Sequence, residues 1–303
     1  MASETFEQRI ERACSDKEIP GILLVGDDRE GNFRYEEVFG NRSLKDPSKG
    51  DPMTKDATMW MASCSKFPTS VAVMQCVERG QLNLDDDVTG LLPELKGLPI
   101  LTKFDEGDTQ PTITENTKPI TLRTGGTTPF GTAADPEAPV EYTENRGWSR
   151  DMLDCSGGAG LFGNVIDYQK LLHSICADDG KLLKKETVDY MFQDHLSAAS
   201  KAVFNTTLEN PALREILGGG VMAGMEITHG LGGMIFLKDV EGGRRAGTIA
   251  WGGYPNLLWF CDRKAGLSGI AGSQMIPSGD PKFNRLFALW EQELYKRAGK
   301  GKL

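Results

Sequence analysis

Ser63 and Lys66 are the residues of this sequence whose types and spacing point most directly to covalent chemistry. They begin and end the tetrapeptide Ser-Cys-Ser-Lys, and residues three positions apart share one face of a helix. A serine hydroxyl attacks a carbonyl carbon once a base removes its proton. A lysine amine serves as that base only where burial or neighbouring charge lowers its pKa toward neutrality. The pair therefore indicates acyl transfer through a serine nucleophile.

The tetrapeptide is not specific by itself. With 15 serines and 19 lysines in 303 residues, about one Ser-x-x-Lys is expected by chance, and one is present. On these four residues alone, a serine that caps a helix and a lysine on the surface are favoured. The choice between the two interpretations depends on the surrounding sequence.

The segment that follows Ser63 predicts the element that would carry the pair. Its apolar residues keep a helical spacing as far as Arg79, and Gly80 is suited to end a helix in a left-handed conformation. Ser63 would then lie at a helix N-terminus, where free N–H groups and partial positive charge favour an anionic tetrahedral intermediate.

The hydrophobic pattern along the chain predicts an α+β fold. Helices are expected at residues 4–16, from Asn164 to 172, at 185–195 and after Asp280. Strands are expected at the following ranges: 22–25, 33–38, 232–237, 248–251, 257–262 and 267–276. Because strands and helices do not alternate, an antiparallel sheet flanked by helices is favoured over a doubly wound parallel sheet.

Charge and composition restrict the partners. A formal net charge of −9 and a sequence pI near 5.0 disfavour nucleic-acid binding. The N-terminus is acidic and amphipathic rather than signal-like, and no apolar stretch approaches the roughly 20 residues of a membrane span, so a cytoplasmic protein is expected. The three histidines, His173, His195 and His229, lack the spacing of metal ligands, and no metal is predicted.

Several motifs occur in an order that is informative as a set: Met61 to Lys66 (MASCSK), residues 78–88 (ERGQLNLDDDV), 92–95 (LPEL), 157–162 (GGAGLF) with Asp167-Tyr168, and 251–253 (WGG) with 255–257 (PNL). Together they resemble the class C beta-lactamase-like superfamily, a beta-lactamase/transpeptidase-like fold. The likeness is greater to its esterases and to fungal acyltransferases of the lovastatin side-chain type. It covers residues 1 to about 123 and about 153 to 295.

The resemblance implies roles for particular residues. Ser63 would be the nucleophile and Lys66 its base, and the backbone N–H groups of Ser63 and Tyr254 would form the oxyanion hole. Trp251, Gly252 and Gly253 would stand on the strand that borders the active site, where lactamases carry a Lys-Thr-Gly type sequence. The cation that grips a beta-lactam carboxylate is then absent, which favours esters or thioesters over penicillins. For Trp251 itself, a position in the core is the structural alternative.

The sequence departs from the family pattern after Arg123. Relatives continue into a long helical subdomain whose Tyr-x-Asn type motif supplies a tyrosine that shares the proton transfer, whereas this chain passes to Thr124 and soon rejoins the pattern. Tyr142 is the local candidate for that tyrosine, but its spacing is off by one and a surface role is favoured. We therefore expect a sheet domain of residues 1–100 and 210–303 and a reduced helical and irregular subdomain of residues 101–209.

The expected function is that of a serine-dependent esterase or acyltransferase. Its acyl-enzyme would pass the acyl group to water or to an alcohol, with no cofactor. The expected partner is a small-molecule ester or thioester, with an acyl-carrier or CoA-like donor as one option. The alternative is a catalytically impaired remnant of the family that only binds. A peptidase or lactamase acting on amides is a third option, which the missing Lys-Thr-Gly disfavours.

Overall fold

The computed structural model describes residues 4–46, 48–103, 112–115, 137–144, 155–218 and 224–299. The chain forms two compact units, one of Met1–Ala72 with Thr132–Leu303 and the other of Val73–Gly131. The sheet domain and reduced subdomain that the sequence predicted, divided near residues 100 and 210, stay a prediction. Among the described residues, no helix is long and apolar enough to span a membrane.

A seven-stranded antiparallel sheet forms the centre of the larger unit, in the order β2-β1-β11-β10-β9-β8-β7. Its strands are β1 (Gly21–Asp28), β2 (Arg34–Gly40), β7 (Ile227–His229), β8 (Met234–Phe236), β9 (Ile249–Gly253), β10 (Leu257–Asp262) and β11 (Leu267–Gly272). A short separate pair joins β3 (Met59–Trp60) to β6 (Phe162–Gly163). The antiparallel sheet flanked by helices that the sequence predicted is confirmed.

Helices cover both faces of this sheet. Every residue of β1, β10 and β11 is buried, which explains their nearly continuous apolar character. Helices α1 (Phe6–Ser15) and α7 (Pro281–Arg297) pack on one face, where Trp290 contacts the rings of Phe260 and Phe287. Helix α3 (Val165–Ala177) contacts β1, β10 and β11. The resulting core holds the strand ends that border the candidate site in fixed positions.

Side chains at the helix starts explain where these helices begin. Asn164 accepts a hydrogen bond from the N–H of Ile166, and Asp280 accepts from the N–H groups of Lys282 and Phe283, so both predicted caps are confirmed. At α1, Thr5 and Gln8 form a reciprocal capping box.

The predicted helix from Ser63 is divided in the structure. A 3-10 turn, Ala62–Ser65, precedes helix α2 (Lys66–Glu78). The larger unit also contains helices α4 (Lys185–Met191), α5 (Ala198–Thr207) and α6 (Pro211–Gly218), of which α4 was predicted with a longer range. Within the smaller unit lie two 3-10 turns, Val88–Gly90 and Pro93–Leu95, and a hairpin of β4 (Ile100–Lys103) and β5 (Thr112–Thr114).

Candidate active site

The Ser63 hydroxyl and the Lys66 amine lie within hydrogen-bonding distance, with Nζ 3.1 Å from Oγ. Ser63 belongs to the 3-10 turn, in which residues three apart are eclipsed, and Lys66 opens α2. The residue before the serine, Ala62, is buried and has a φ of 43°, a left-handed conformation that is costly for a residue other than glycine. The structure therefore brings together the two residues that the sequence nominated.

The surroundings of Lys66 favour its neutral form. Although the side chain as a whole keeps contact with solvent, desolvation of its ammonium group lowers the pKa of Lys66. Cys64 is the titratable neighbour of Lys66, and a thiolate there would raise the pKa of the amine. Burial raises the pKa of this thiol, so that it stays uncharged. Nζ has a second partner in the carbonyl oxygen of Gly158 at 2.8 Å. An amine held in this way is suited to accept a proton from the adjacent hydroxyl.

A glycine-rich segment just before α3 is fastened to the turn that carries Ser63. The indole Nε1 of Trp60 donates to the carbonyl of Ala159 at 2.7 Å, and the N–H of Met61 donates to the carbonyl of Leu161 at 2.9 Å. The hydroxyl of Ser65 accepts from the N–H of Leu161 at 3.0 Å. The pairing of β3 with β6 continues this contact. The segment is thus a wall of the site.

Strand β9 approaches the same turn at Gly253. A Cβ atom at this position would lie 2.4 Å from the carbonyl oxygen of Met61 and 3.2 Å from Sγ of Cys64, so only glycine fits without a shift. Tyr254 follows directly, and its ring centroid lies 6.1 Å from that of Trp60. The chain segments that carry the N–H groups of Ser63 and Tyr254 are therefore in contact, although their joint role as an oxyanion hole stays a prediction.

The other two residues of the sequence Trp251-Gly252-Gly253 have different surroundings. A Cβ atom at Gly252 would lie 2.7 Å from the carbonyl oxygen of Leu257 in the neighbouring strand β10. Trp251 is half-buried, packs against the core and meets the ring of His229 edge-on at 5.5 Å. This packing is consistent with the alternative that Trp251 is a residue of the core.

Tyr142 lies in the described segment 137–144. Its side chain is 43% exposed, and Nζ of Lys45 lies 5.6 Å from the centre of its ring. Among the described residues, neither Ser63 nor Lys66 forms a hydrogen bond with it. The stretch that follows Arg123 lies outside the described residues.

The ring of each histidine has its own hydrogen-bond partner. His173 Nδ1 lies 2.9 Å from a carboxylate oxygen of Asp27, His195 Nε2 lies 2.8 Å from the carbonyl oxygen of Tyr190, and His229 Nδ1 lies near the carbonyl oxygen of Gly230. Over the described part of the chain, no three side chains of the types that hold metal ions are grouped together.

Sequence reasoning missed the residues that support the pair, such as Trp60 and Ser65. The available signal was the motif Gly157–Phe162, which the sequence showed as part of the family pattern without assigning it a task. Residues 158–163 (GAGLFG) also fit the Gly-x-Gly-x-x-Gly pattern of dinucleotide-binding loops, but the strand before α3 has two residues and belongs to no βαβ unit among the described residues.

Comparison with known proteins supports the family resemblance. A family model described as Beta-lactamase matches residues 6–124 and ends one residue after Arg123, where the sequence departs from the family pattern. Monacolin J acid methylbutanoyltransferase of Aspergillus terreus is 27% identical over 400 residues, which cover 98% of this chain and 96% of the relative. Lovastatin esterase of Penicillium rubens is 26% identical over 372 residues, with 89% and 92% coverage.

Solved structures agree with these relatives. The unliganded Simvastatin Synthase (LovD) from Aspergillus terreus has a TM-score of 0.81 and 27% identity, with 96% of this chain and 97% of that chain covered. The fold of EstCE1, a hydrolase with promiscuous acyltransferase activity, is also similar, with a TM-score of 0.61 at 16% identity. The alignment to the methylbutanoyltransferase runs over 400 positions, more than the 303 residues present here, so that relative contains segments without a counterpart in this chain.

The fold and the family match together place a beta-lactamase-family domain in this chain. Its homologues within that family are acyltransferases of the LovD type and a lovastatin esterase. These homologues support an enzyme that transfers acyl groups of small-molecule esters.

Proposed function

We propose that this protein is a serine-dependent esterase or acyltransferase in which Ser63 is the nucleophile and Lys66 its base. The observation that carries the proposal is the 3.1 Å distance between Lys66 Nζ and Ser63 Oγ, next to a desolvation that lowers the pKa of the amine. The relatives named as an acyltransferase and an esterase support the same reaction class.

Acylation requires one proton transfer in each direction. Lys66 Nζ takes the proton of Ser63 as Oγ forms a bond to the carbonyl carbon of an ester or thioester. The resulting oxyanion accepts hydrogen bonds from the N–H groups of Ser63 and Tyr254. Its collapse breaks the bond to the leaving alcohol or thiol, which receives the proton from the Lys66 ammonium.

Deacylation runs through the same groups in reverse. Lys66 Nζ takes a proton from water or from an acceptor alcohol, whose oxygen attacks the acyl carbon. The bond to Ser63 Oγ then breaks, and the serine recovers its proton from Lys66. In relatives a tyrosine shares these proton transfers, and here Lys66 performs both.

The apolar side chains beside the nucleophile favour an apolar acyl group. Phe162 is 52% exposed and Leu161 is 41% exposed, although the backbone of Leu161 is bonded to the turn that carries Ser63. Phe162 stands opposite Trp60 in the short β3–β6 pair, and the ring of Tyr254 lies on Trp60. Burying such surface under an acyl chain contributes about 0.8 kcal/mol per methylene group. The donor is a small-molecule ester, or a thioester on an acyl carrier or a CoA-like group.

The sequence Trp251-Gly252-Gly253 also favours ester or thioester substrates. At the position where lactamases hold a lysine, this chain has Trp251 followed by Gly252 and Gly253. A penicillin carboxylate would find no cation there, whereas an ester needs none.

A second candidate function is that of a binding protein that has lost turnover. The observations in its favour are that the family match ends at residue 124 and that the alignment to the methylbutanoyltransferase has more positions than this chain has residues. Under this alternative the site around Ser63 still binds an acyl compound. Ser63 is then either not acylated or not freed of its acyl group.

A serine-directed fluorophosphonate probe tests the proposal. We expect covalent labelling of Ser63, located by peptide mass spectrometry, and hydrolysis of p-nitrophenyl esters that improves from acetate to hexanoate. Ser63→Ala should abolish both. Ser15→Ala is the matched control, because Ser15 is an exposed serine of α1 that bonds the carbonyl of Glu11 in its own helix. Absence of label in the wild type, or unchanged turnover in Ser63→Ala, would refute the proposal and favour the binding protein.

A further inference from the structure

The glycine-rich segment Gly157–Leu161 turns three consecutive carbonyl groups toward the chain that carries the nucleophile. These carbonyl oxygens accept from three different side chains: Gly157 from Thr69 Oγ1 at 2.7 Å, Gly158 from Lys66 Nζ at 2.8 Å and Ala159 from Trp60 Nε1 at 2.7 Å. The proposed mechanism uses the lysine but gives no task to Thr69.

The carbonyl of Gly158 determines how the Lys66 amine faces Ser63. A neutral amine has two N–H groups and one lone pair, and it acts as a base only when the lone pair points at the proton to be removed. With one N–H held by Gly158, the remaining rotation about the Cε–Nζ bond is restricted, and the lone pair can be directed at Ser63 Oγ, 3.1 Å away. After proton transfer, the same carbonyl stabilises the ammonium group.

Thr69 fixes the peptide group next to this carbonyl. It stands three residues after Lys66 on α2, and its hydroxyl donates to the oxygen of Gly157. The approach is close: a Cβ atom at Gly157 would lie 3.0 Å from Cγ2 of Thr69, and one at Gly158 would lie 3.6 Å from Nζ of Lys66. Since Thr69 is exposed, its hydroxyl could be satisfied by water and is not needed to fill the core.

We propose that Thr69 is a positioning residue of the acyl-transfer reaction: by bonding the carbonyl of Gly157, it holds the carbonyl of Gly158 where that group directs Lys66 toward Ser63. This inference rests on the proposed function of Ser63 and Lys66. It assigns a task to the backbone of Gly157 and Gly158, which is to hold the lysine.

Thr69→Val tests the inference, because valine keeps the shape of threonine and removes the hydroxyl. We expect the acylation rate with p-nitrophenyl acetate to fall about tenfold, part of the 10² to 10⁴ that a positioned base supplies, with KM changed less than about twofold. Thr69→Ser, which keeps a hydroxyl, should restore most of the rate. Thr207→Val is the matched control, since it removes a similar hydroxyl-to-carbonyl bond within α5.

The pH profile adds a readout that a purely structural role would not move. In Thr69→Val the carbonyl of Gly158 is free to withdraw, so the ammonium form of Lys66 loses an acceptor and its pKa falls further. The acid limb of the acylation rate should therefore move to lower pH while the plateau drops. Cys64, the titratable neighbour, stays an uncharged thiol because burial raises its pKa.

The outcomes separate the two proposals. If the wild type takes up no fluorophosphonate, the proposed function fails and this inference with it. If the wild type is labelled but Thr69→Val keeps the wild-type rate and pH profile, the inference fails and the proposed function stands. If Thr69→Val loses rate only in proportion to a loss of folded protein, measured by thermal denaturation beside Thr207→Val, Thr69 is structural and the inference is overturned.

Discussion

Gly253 is the point where β9 meets the turn that carries Ser63, and one added methyl group tests whether this contact sets the geometry of the reaction. In Gly253→Ala the new Cβ would lie 2.4 Å from the carbonyl oxygen of Met61. The obstacle is backbone, so no side chain can rotate away. The strand or the turn must move by at least about 0.6 Å before the distance from the Cβ atom to this oxygen reaches 3.0 Å, below which Cβ contacts are essentially never found. The Met61 carbonyl also accepts from the N–H of Cys64, so the shift reaches the residue next to the nucleophile.

The size of this shift gives the expected loss. A misplacement of about 1 Å at reacting groups costs on the order of 10²-fold in rate, which corresponds to about 2.7 kcal/mol of transition-state stabilisation. Overpacking also costs about 1 to 3 kcal/mol of folding free energy. We therefore expect kcat/KM of Gly253→Ala for p-nitrophenyl acetate to fall about 10²-fold while the protein remains folded at 25 °C.

Two alanine variants separate geometry from stability in this assay. In Gly269→Ala the Cβ would lie 2.7 Å from the ring of Trp290, within the core on the α7 face, so stability should fall while the rate per folded molecule stays near wild type. In Gly90→Ala nothing lies within 4 Å of the new Cβ, and neither quantity should change. A Gly253→Ala protein that acylates within threefold of wild type, per folded molecule in stopped-flow bursts, would refute the reasoning.

Further predictions follow from single contacts. The acylation rate should rise with pH and level off below pH 10.5, the ordinary pKa of lysine, because desolvation lowers the pKa of Lys66 and the neutral amine is the base; a plateau reached only at higher pH would contradict this. Tyr142→Phe should leave turnover within about twofold, since the ring is on the surface, whereas a tenfold loss would show that Tyr142 takes part in the reaction. Glu291→Ala should cost about 3 to 5 kcal/mol in urea unfolding, because it leaves Arg244 buried without its carboxylate, and the double variant Arg244→Met/Glu291→Leu should recover much of that loss.

The parts of the fold that local sequence determines were predicted well. The caps Asn164 and Asp280 act on N–H groups within three residues, so their signal is contained in the adjacent sequence. Strand β10 was predicted with its observed bounds because its first five residues are apolar, and all six of its residues are buried. Strand β7, with three residues, is too short for a period to be recognised.

In the candidate site too, residues in local motifs were predicted, whereas contacts between distant segments were not. Ser63, Lys66 and Gly253 stand in recognisable motifs, and the structure brings their segments together. The contacts that prepare them join residues about a hundred positions apart, such as Trp60 with Ala159, and no local period encodes such a pair. The direction of the Lys66 pKa also depends on these distant neighbours, because desolvation is a property of the folded surroundings.

The departure from the family pattern after Arg123 bears on the proton transfers of the proposed mechanism. The described partners of Lys66 are Ser63 and Gly158, which lie before and after residue 124, where the family match ends. The family resemblance implies that relatives carry a tyrosine that shares proton transfer and that this chain would lack it. Its loss would weigh most on the step in which a poor leaving group must be protonated.

A weakened proton transfer would be detected by comparing esters with good and poor leaving groups. A fluorophosphonate and an activated p-nitrophenyl ester carry good leaving groups and need little help, so both should acylate Ser63 readily. An unactivated alkyl ester needs its alkoxide protonated, and under the proposed mechanism Lys66 alone would supply that proton. We therefore expect burst kinetics with p-nitrophenyl esters and a rate ratio between activated and alkyl esters that is larger than in the lovastatin esterase of Penicillium rubens. A protein that cleaves both ester types at the same relative rates as that esterase would show that another group of this chain has taken over the task of the tyrosine.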